Sequence, residues 1–326
     1  MFHVEPGSDN LASRGCSTWN TGPGRHPPGR GLVQYNVNVS RMDLAPPGAV
    51  DEKDHDMATK EIVPHNRPLP RVIAIANQKG GVGKTTTSVN LGACLAELGF
   101  RTLLVDLDPQ GNASSGVGVD SRGVETSMYD VLLHDAPMED CIEPASVRNL
   151  FVAPANLELA GAEIELVPLM SREGRLKRAV EAVIEDYDFV LIDCPPSLGL
   201  LTVNALVAAG EVLVPIQCEY YALEGLGQLL RNVELVKRNL NPSLEVSTIV
   251  CVMYDSKTKL SNDVVDQVRE HFGDKVCRTL IPRNVRLSEA PSHHQPINVY
   301  DPSSKGSIAY KNVAKEVAGG TPPRTR

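Results

Sequence analysis

Aromatic residues are scarce in this chain: Phe, Trp and Tyr make up 4% of its 326 positions, with a single tryptophan. A core must then be built from Val, Leu, Ile and Ala, as where parallel strands are covered by helices on both faces. That favours α/β over an all-β sandwich. Paired cysteine spacing is missing too. The seven cysteines (Cys16, Cys94, Cys141, Cys194, Cys218, Cys251 and Cys277) contain no C-x-x-C, so they read as reduced thiols rather than a disulfide framework or a zinc or iron–sulfur site. No apolar run reaches the ~18 residues of a membrane span, and the N-terminus lacks a charged region followed by an apolar one. A cytoplasmic protein is expected. A basic excess is also absent: the net charge is −8, which argues against a globally basic nucleic-acid protein.

What is present divides the chain. Nine of its 24 prolines and seven glycines fall in the first seventy residues, without sustained periodicity. Such a segment cannot bury enough apolar surface to offset its ordering entropy. Residues 1–69 are expected to be a disordered extension, with translation starting at Met42 or Met57 as the alternative. From Arg71 onward, apolar β-branched runs at 71–76, 102–106, 188–193, 211–216 and 246–253, and a weaker one at 150–153, alternate with helical spacing at 84–98, 172–186, 199–208, 222–239, 260–272 and 304–318. This pattern predicts crossover units and a mostly parallel sheet with helices on both faces. One such domain is expected over 70–318, followed by a flexible tail at 319–326.

Between the first strand and the first helix lies NQKGGVGKTT, residues 77–86. Gly80, Gly81 and Gly83 permit dihedrals closed to other residues, so backbone N–H groups can turn inward as an anion nest at a helix N-terminus. This is a polyphosphate cradle, formed by Lys79, Gly80, Gly81, Val82, Gly83, Lys84, Thr85 and Thr86. Lys84 is placed to reach the β- and γ-phosphates, and the Thr85 hydroxyl to ligate Mg²⁺, as in G-x-x-x-x-G-K-[ST]. Gln78 stands where that pattern has its first glycine, and Lys79 adds a cation an ordinary loop lacks. Carboxylates end two strands: LLVDLDPQGN carries Asp106 and Asp108, and FVLIDCPPSLG carries Asp193. Residues two apart on a strand point to one side, so Asp106 and Asp108 are expected to share one magnesium–water cluster. Pro195 and Pro196 stop the strand after Asp193.

The loop KGGVGKTT resembles the deviant Walker A motif of the ParA/MinD ATPases. The resemblance extends over about residues 71–318 and is strongest to Soj-type partition ATPases, through PIQCEYYALEGL (215–226), IPRNVRLSEAPSHHQPI (281–297) and YDPSSKGSIAYKNVAKEV (300–317). It departs at His294, where members usually have glycine. The resemblance implies a P-loop ATPase using ATP and Mg²⁺. It implies that Lys79 reaches across a homodimer to the partner's phosphates, that Lys84 serves its own nucleotide, and that Asp108 positions or deprotonates the attacking water. Asp106 and Asp193 would then join Thr85 around the metal. The stretch 109–116 and the one after Asp193 would act as γ-phosphate-sensing switches.

The resemblance further implies non-specific DNA binding by the ATP dimer, a ParB-type centromere-binding partner that stimulates hydrolysis, and a nucleoid-associated location. Charge allows it locally: residues 255–326 hold twelve Lys/Arg against eight Asp/Glu, and two subunits can add their patches. Lys257 and Arg286, with Lys259 and Arg283 near in sequence, are the DNA-binding candidates. Relatives offer other functions. An orphan ParA-like protein positioning another cargo has the same core, whereas a MinD-like protein would end in an amphipathic membrane helix. Here the end is VAKEVAGGTPPRTR, whose glycines and prolines break a helix, so no stable membrane association is expected.

Overall fold

A computed structural model describes residues 67–219 and 222–324. The expected disordered extension therefore lies, for residues 1–66, outside the described residues. Seven strands form one sheet: β1 (Arg71–Ile75), β2 (Thr102–Asp106), β3 (Glu143–Pro144), β4 (Leu150–Ala153), β5 (Phe189–Asp193), β6 (Glu211–Gln217) and β7 (Glu245–Val252). Their order is β3-β4-β2-β5-β1-β6-β7, and every pairing is parallel except β3 with β4. β3 is two residues long and includes Pro144, which an edge strand tolerates because no neighbour needs its N–H.

Burial on both faces explains the uninterrupted apolar runs. Val72, Ala74 and Ala76 join one core with residues of α3 (Met128–Leu133), α6 (Arg175–Val183), α7 (Leu200–Ala208), α8 (Ala222–Asn239) and α9 (Lys259–Phe272). Ile73 and Ile75 face a second core with α1 (Lys84–Glu97) and α12 (Lys305–Ala318). Across it, Tyr310 reaches Thr87, hydroxyl to hydroxyl, at 3.1 Å. Shorter helices fill the connections: α2 (Asn112–Gly116), α4 (Met138–Cys141), α5 (Leu159–Glu165), α10 (Val285–Glu289) and α11 (Ile297–Tyr300).

Several boundaries differ from expectation. The single helix expected over 172–186 is three pieces, with 3₁₀ turns at Arg172–Gly174 and Ile184–Asp186 flanking α6. β7 stops at Val252 because Met253 takes φ 53°, a left-handed conformation that cannot continue a strand. Residues 67–69, expected within the disordered extension, precede β1 with Arg67 paired to Glu245 and, at 3.6 Å, to Glu211. Arg71 grips the same Glu211 through two hydrogen bonds of 2.7 and 2.8 Å, tying β1 to β6 below the surface. At the other end Arg324 hydrogen-bonds Asp188 at 2.9 Å and pairs with Glu185 at 3.2 Å. That part of the segment expected to be a flexible tail is therefore fastened beside the start of β5.

Candidate functional site

The carboxyl ends of β1, β5 and β2 lie side by side, since Ile75 registers with Asp193 and Asp193 with Asp106. A phosphate loop after β1 thus opens directly onto two acidic strand ends. Asn77 starts the loop by donating from Nδ2 to the Pro215 carbonyl at 2.8 Å, while its Oδ1 accepts from the Lys79 N–H at 3.0 Å. Gly81 and Gly83 then take φ 73° and 76°, left-handed conformations that a residue carrying its own Cβ rarely adopts. Gly80 does not share that conformation, so strain is not its reason. A Cβ there would meet no protein atom within 4 Å and would only occupy the open cradle.

The two lysines occupy opposite environments. Lys84 is 7% exposed, and the hydrogen bond its ammonium makes to protein is a long one, 3.5 Å to the Lys79 carbonyl. Burial draws its pKa below the ordinary lysine range, opposed by the charges of Asp193 and Asp108. A buried ammonium with donors to spare is matched by an anion with several oxygens. Lys79 instead leaves the loop with its side chain 37% exposed, 3.5 Å from Glu219 Oε2.

Asp193 and Asp106 are both fully buried. Burial pushes Asp193 up to about 7, with the neighbouring Asp106 charge adding to it. Burial likewise raises Asp106 to about 6, against the hydrogen bonds from Ser114. Thr85 Oγ1 donates to Asp193 Oδ2 at 2.8 Å and Ser88 Oγ to Oδ1 at 2.7 Å. Asp106 Oδ2 accepts from the Ser114 N–H (2.8 Å) and hydroxyl (2.7 Å), and Oδ1 accepts from the Asp108 N–H at 3.1 Å. Two adjacent carboxylates held this far from their ionised state are suited to a divalent cation, which would favour the charged form. Among the described residues no three His, Cys, Asp or Glu side chains form a metal cage. Mg²⁺ needs none, because it takes one or two carboxylates together with water and substrate phosphates. The donor set of Thr85, Asp193 and Asp106 fits it.

Asp108 lies past the end of β2, in a turn where its Oδ1 accepts from the Gln110 N–H at 3.0 Å. The strand rule that placed it beside Asp106 therefore does not apply. Asp106 orients the 108–114 segment through its hydrogen bonds, and Asp108 is carried on that segment. Val82 is buried and Thr86 half-buried. Of the residues that sequence reasoning did not single out, Ser88 follows Thr85 on the same face of α1 and was within reach of a helical-spacing argument. Asn77, Ser114 and Glu219 act through tertiary contacts.

The DNA candidates fall on two segments joined by a bridge between Tyr254 and Pro282. Lys257 and Lys259 are exposed at the start of α9. Arg286 bonds Glu289 at 2.8 Å and lies 3.5 Å from Asp301. Arg283 turns to Glu219 at 3.7 Å, the carboxylate that also meets Lys79.

The AAA domain family matches residues 70–246. Over 250 residues the chain is 60% identical to the sporulation initiation inhibitor protein Soj of Bacillus subtilis, covering 77% of this chain and 99% of that one. It is 53% identical over 249 residues to the chromosome partitioning protein ParA of Caulobacter vibrioides strain NA1000 / CB15N, covering 76% and 93%. The chain belongs to the ParA/Soj family of P-loop partitioning ATPases. A solved structure of cobyrinic acid a,c-diamide synthase from Mycobacterium smegmatis, with bound ATP analogue and magnesium, shares the fold at TM-score 0.67 and 40% identity, covering 79% of this chain and all of that one. Like other ParA/Soj chains, this one is an enzyme of nucleotide hydrolysis. Among the described residues, no helix of this ParA/Soj chain is long and apolar enough to cross a membrane.

Proposed function

We propose that this ATPase is a dimeric switch: it binds DNA without sequence preference in its ATP state and hydrolyses ATP when a ParB-type centromere-binding partner stimulates it, moving chromosome or plasmid DNA over the nucleoid. One observation carries the reading. Of two lysines in one phosphate loop, Lys84 faces inward, buried, while Lys79 projects outward, as a cation serving a second subunit's phosphates would. The 60% identity to Soj supports partition over the amide synthesis named for the Mycobacterium smegmatis structure.

Lys84 neutralises charge on the β- and γ-phosphates of its own ATP, and the loop N–H groups hold the same oxygens. Thr85, through its hydroxyl, and the Asp193 and Asp106 carboxylates would hold Mg²⁺, which would supply charge neutralisation at the phosphate oxygens. Asp108 orients the attacking water and accepts its proton. Lys79 of one subunit neutralises the charge that develops as the partner's γ-phosphoryl departs. Lys257, Lys259 and Arg286 from two subunits together meet DNA phosphates, while Arg283, paired with Glu219 beside Lys79, serves the dimer side.

Co-sedimentation with DNA tests the reading, using ATP, ADP or no nucleotide over a salt series. Binding is expected only with ATP, falling steeply as salt rises. Binding that ignores the nucleotide rejects the switch. ATP-dependent retention on liposomes instead of DNA supports a MinD-like role, and retention on neither surface points to an orphan positioning ATPase.

A further inference from the structure

Glu219 has no part in the reaction outlined above, yet it contacts the cation that defines this family's loop. Its Oε2 lies 3.5 Å from Lys79 Nζ, while Oε1 lies 3.7 Å from Arg283 Nη2 and accepts a 2.6 Å hydrogen bond from Gln217 Nε2. Gln217 is the last residue of β6, in register with Val252 of β7. The carboxylate is therefore anchored to the sheet through one oxygen and offers the other to the loop.

The geometry points to Glu219 as a positioning residue that holds Lys79 against its own subunit until a second ATP-bound copy presents its phosphates. The inference rests on the dimer reading and adds a threshold to it. Lys79 and Glu219 have side chains 37% and 46% exposed. An ion pair that open to water is weak, so it biases the lysine without locking it. Polyphosphate carries more charge than one carboxylate and displaces Glu219 once the two subunits meet. Arg283 remains on Oε1 and keeps the vacated carboxylate paired in the closed dimer. Glu219 thus raises the nucleotide concentration needed for dimerisation, so that partly loaded chains stay apart.

Sedimentation velocity of the full chain, titrated with ATPγS and Mg²⁺, tests this. Glu219→Gln is expected to lower the midpoint for dimerisation about two- to fivefold at low salt. The difference from wild type should shrink in 0.5 M KCl, because the pair is exposed to screening; a purely structural effect would persist. ATPγS affinity, measured at protein concentrations where the chain is monomeric, should be the same in both, since Lys79 serves the partner's nucleotide. A midpoint that is unchanged or raised, or a matching change in monomer affinity, overturns the role of Glu219 and leaves the dimer reading standing. A wild-type chain that stays monomeric at saturating ATPγS rejects the dimer reading itself.

Discussion

Asp106 and Asp193 at the ends of adjacent strands, and Lys84 at the start of α1 beside them, lie below the surface, whereas Lys257, Lys259, Arg283 and Arg286 carry their charges in water on the 257–286 surface. The same side-chain chemistry has different consequences in the two regions. At the strand ends each charge has lost its hydration, so its position is held by named donors such as Ser88 for Asp193 and Ser114 for Asp106. On the surface, water does most of the solvating, and partners such as Glu289 and Asp301 add little. The buried region should therefore respond sharply to single substitutions, and the surface should respond in proportion to the number of cations removed.

The largest effect is expected from Lys84→Ala, which should weaken ATP binding by about a hundredfold in calorimetry, the scale of losing a buried charge-assisted donor to the phosphates. Wild-type affinity in this variant would mean that the cradle lies elsewhere. Glu211→Gln tests a buried ion pair away from the cradle and should cost about 3 kcal/mol of folding stability in denaturant titration, leaving the buried Arg71 charge without its counter-ion. Burial alone would raise Glu211, but the hydrogen bonds and charge of Arg71 hold it below the usual carboxylate value. Stability from this pair is accordingly complete above the unfolded carboxylate's pKa and is lost as pH falls through the depressed folded one.

Asp193→Asn should act in the opposite sense. A carboxyl raised to about 7 in the folded state favours folding while it is protonated. That contribution is greatest below the unfolded pKa and disappears as pH climbs from there through about 7. At pH 8 the nucleotide-free variant should melt a few degrees higher than wild type, while the Mg²⁺ dependence of ATP binding is lost. A lower melting temperature would show that Lys84 and the two hydroxyls already compensate the carboxylate in full. The smallest effect belongs to the surface: Arg286→Glu should change folding stability by less than about 0.5 kcal/mol. Its DNA affinity should fall, with a shallower salt dependence, by about one unit in slope per phosphate contact removed. An unchanged slope would move the interface off this segment.

Long elements were legible because their patterns are local. β1, β2, β5, β6 and β7 appear where the β-branched runs predict them, and α1, α7, α8, α9 and α12 match helical spacing to within a residue or two. The two-residue β3 and helices of two turns or fewer, such as α2 and α5, are too short to show a period and form where the tertiary surroundings satisfy their backbone. Asp108 illustrates the limit within the site. Its residue type and spacing were visible, but a chain that leaves the strand after Asp106 no longer obeys the two-residue alternation.

The sequence by itself determined that a glycine-rich loop joins a buried strand to a helix, that it carries two lysines, and that acidic residues end two further strands. These features are determined locally, since glycine dihedrals, β-branched runs and helix spacing act over a few neighbouring residues. Only the tertiary structure decided that β5 lies between β1 and β2, bringing Asp193 and Asp106 into register, and that Lys84 turns inward while Lys79 meets Glu219. Those outcomes depend on strand order and on which groups lose contact with water, which arise from packing residues more than a hundred positions apart.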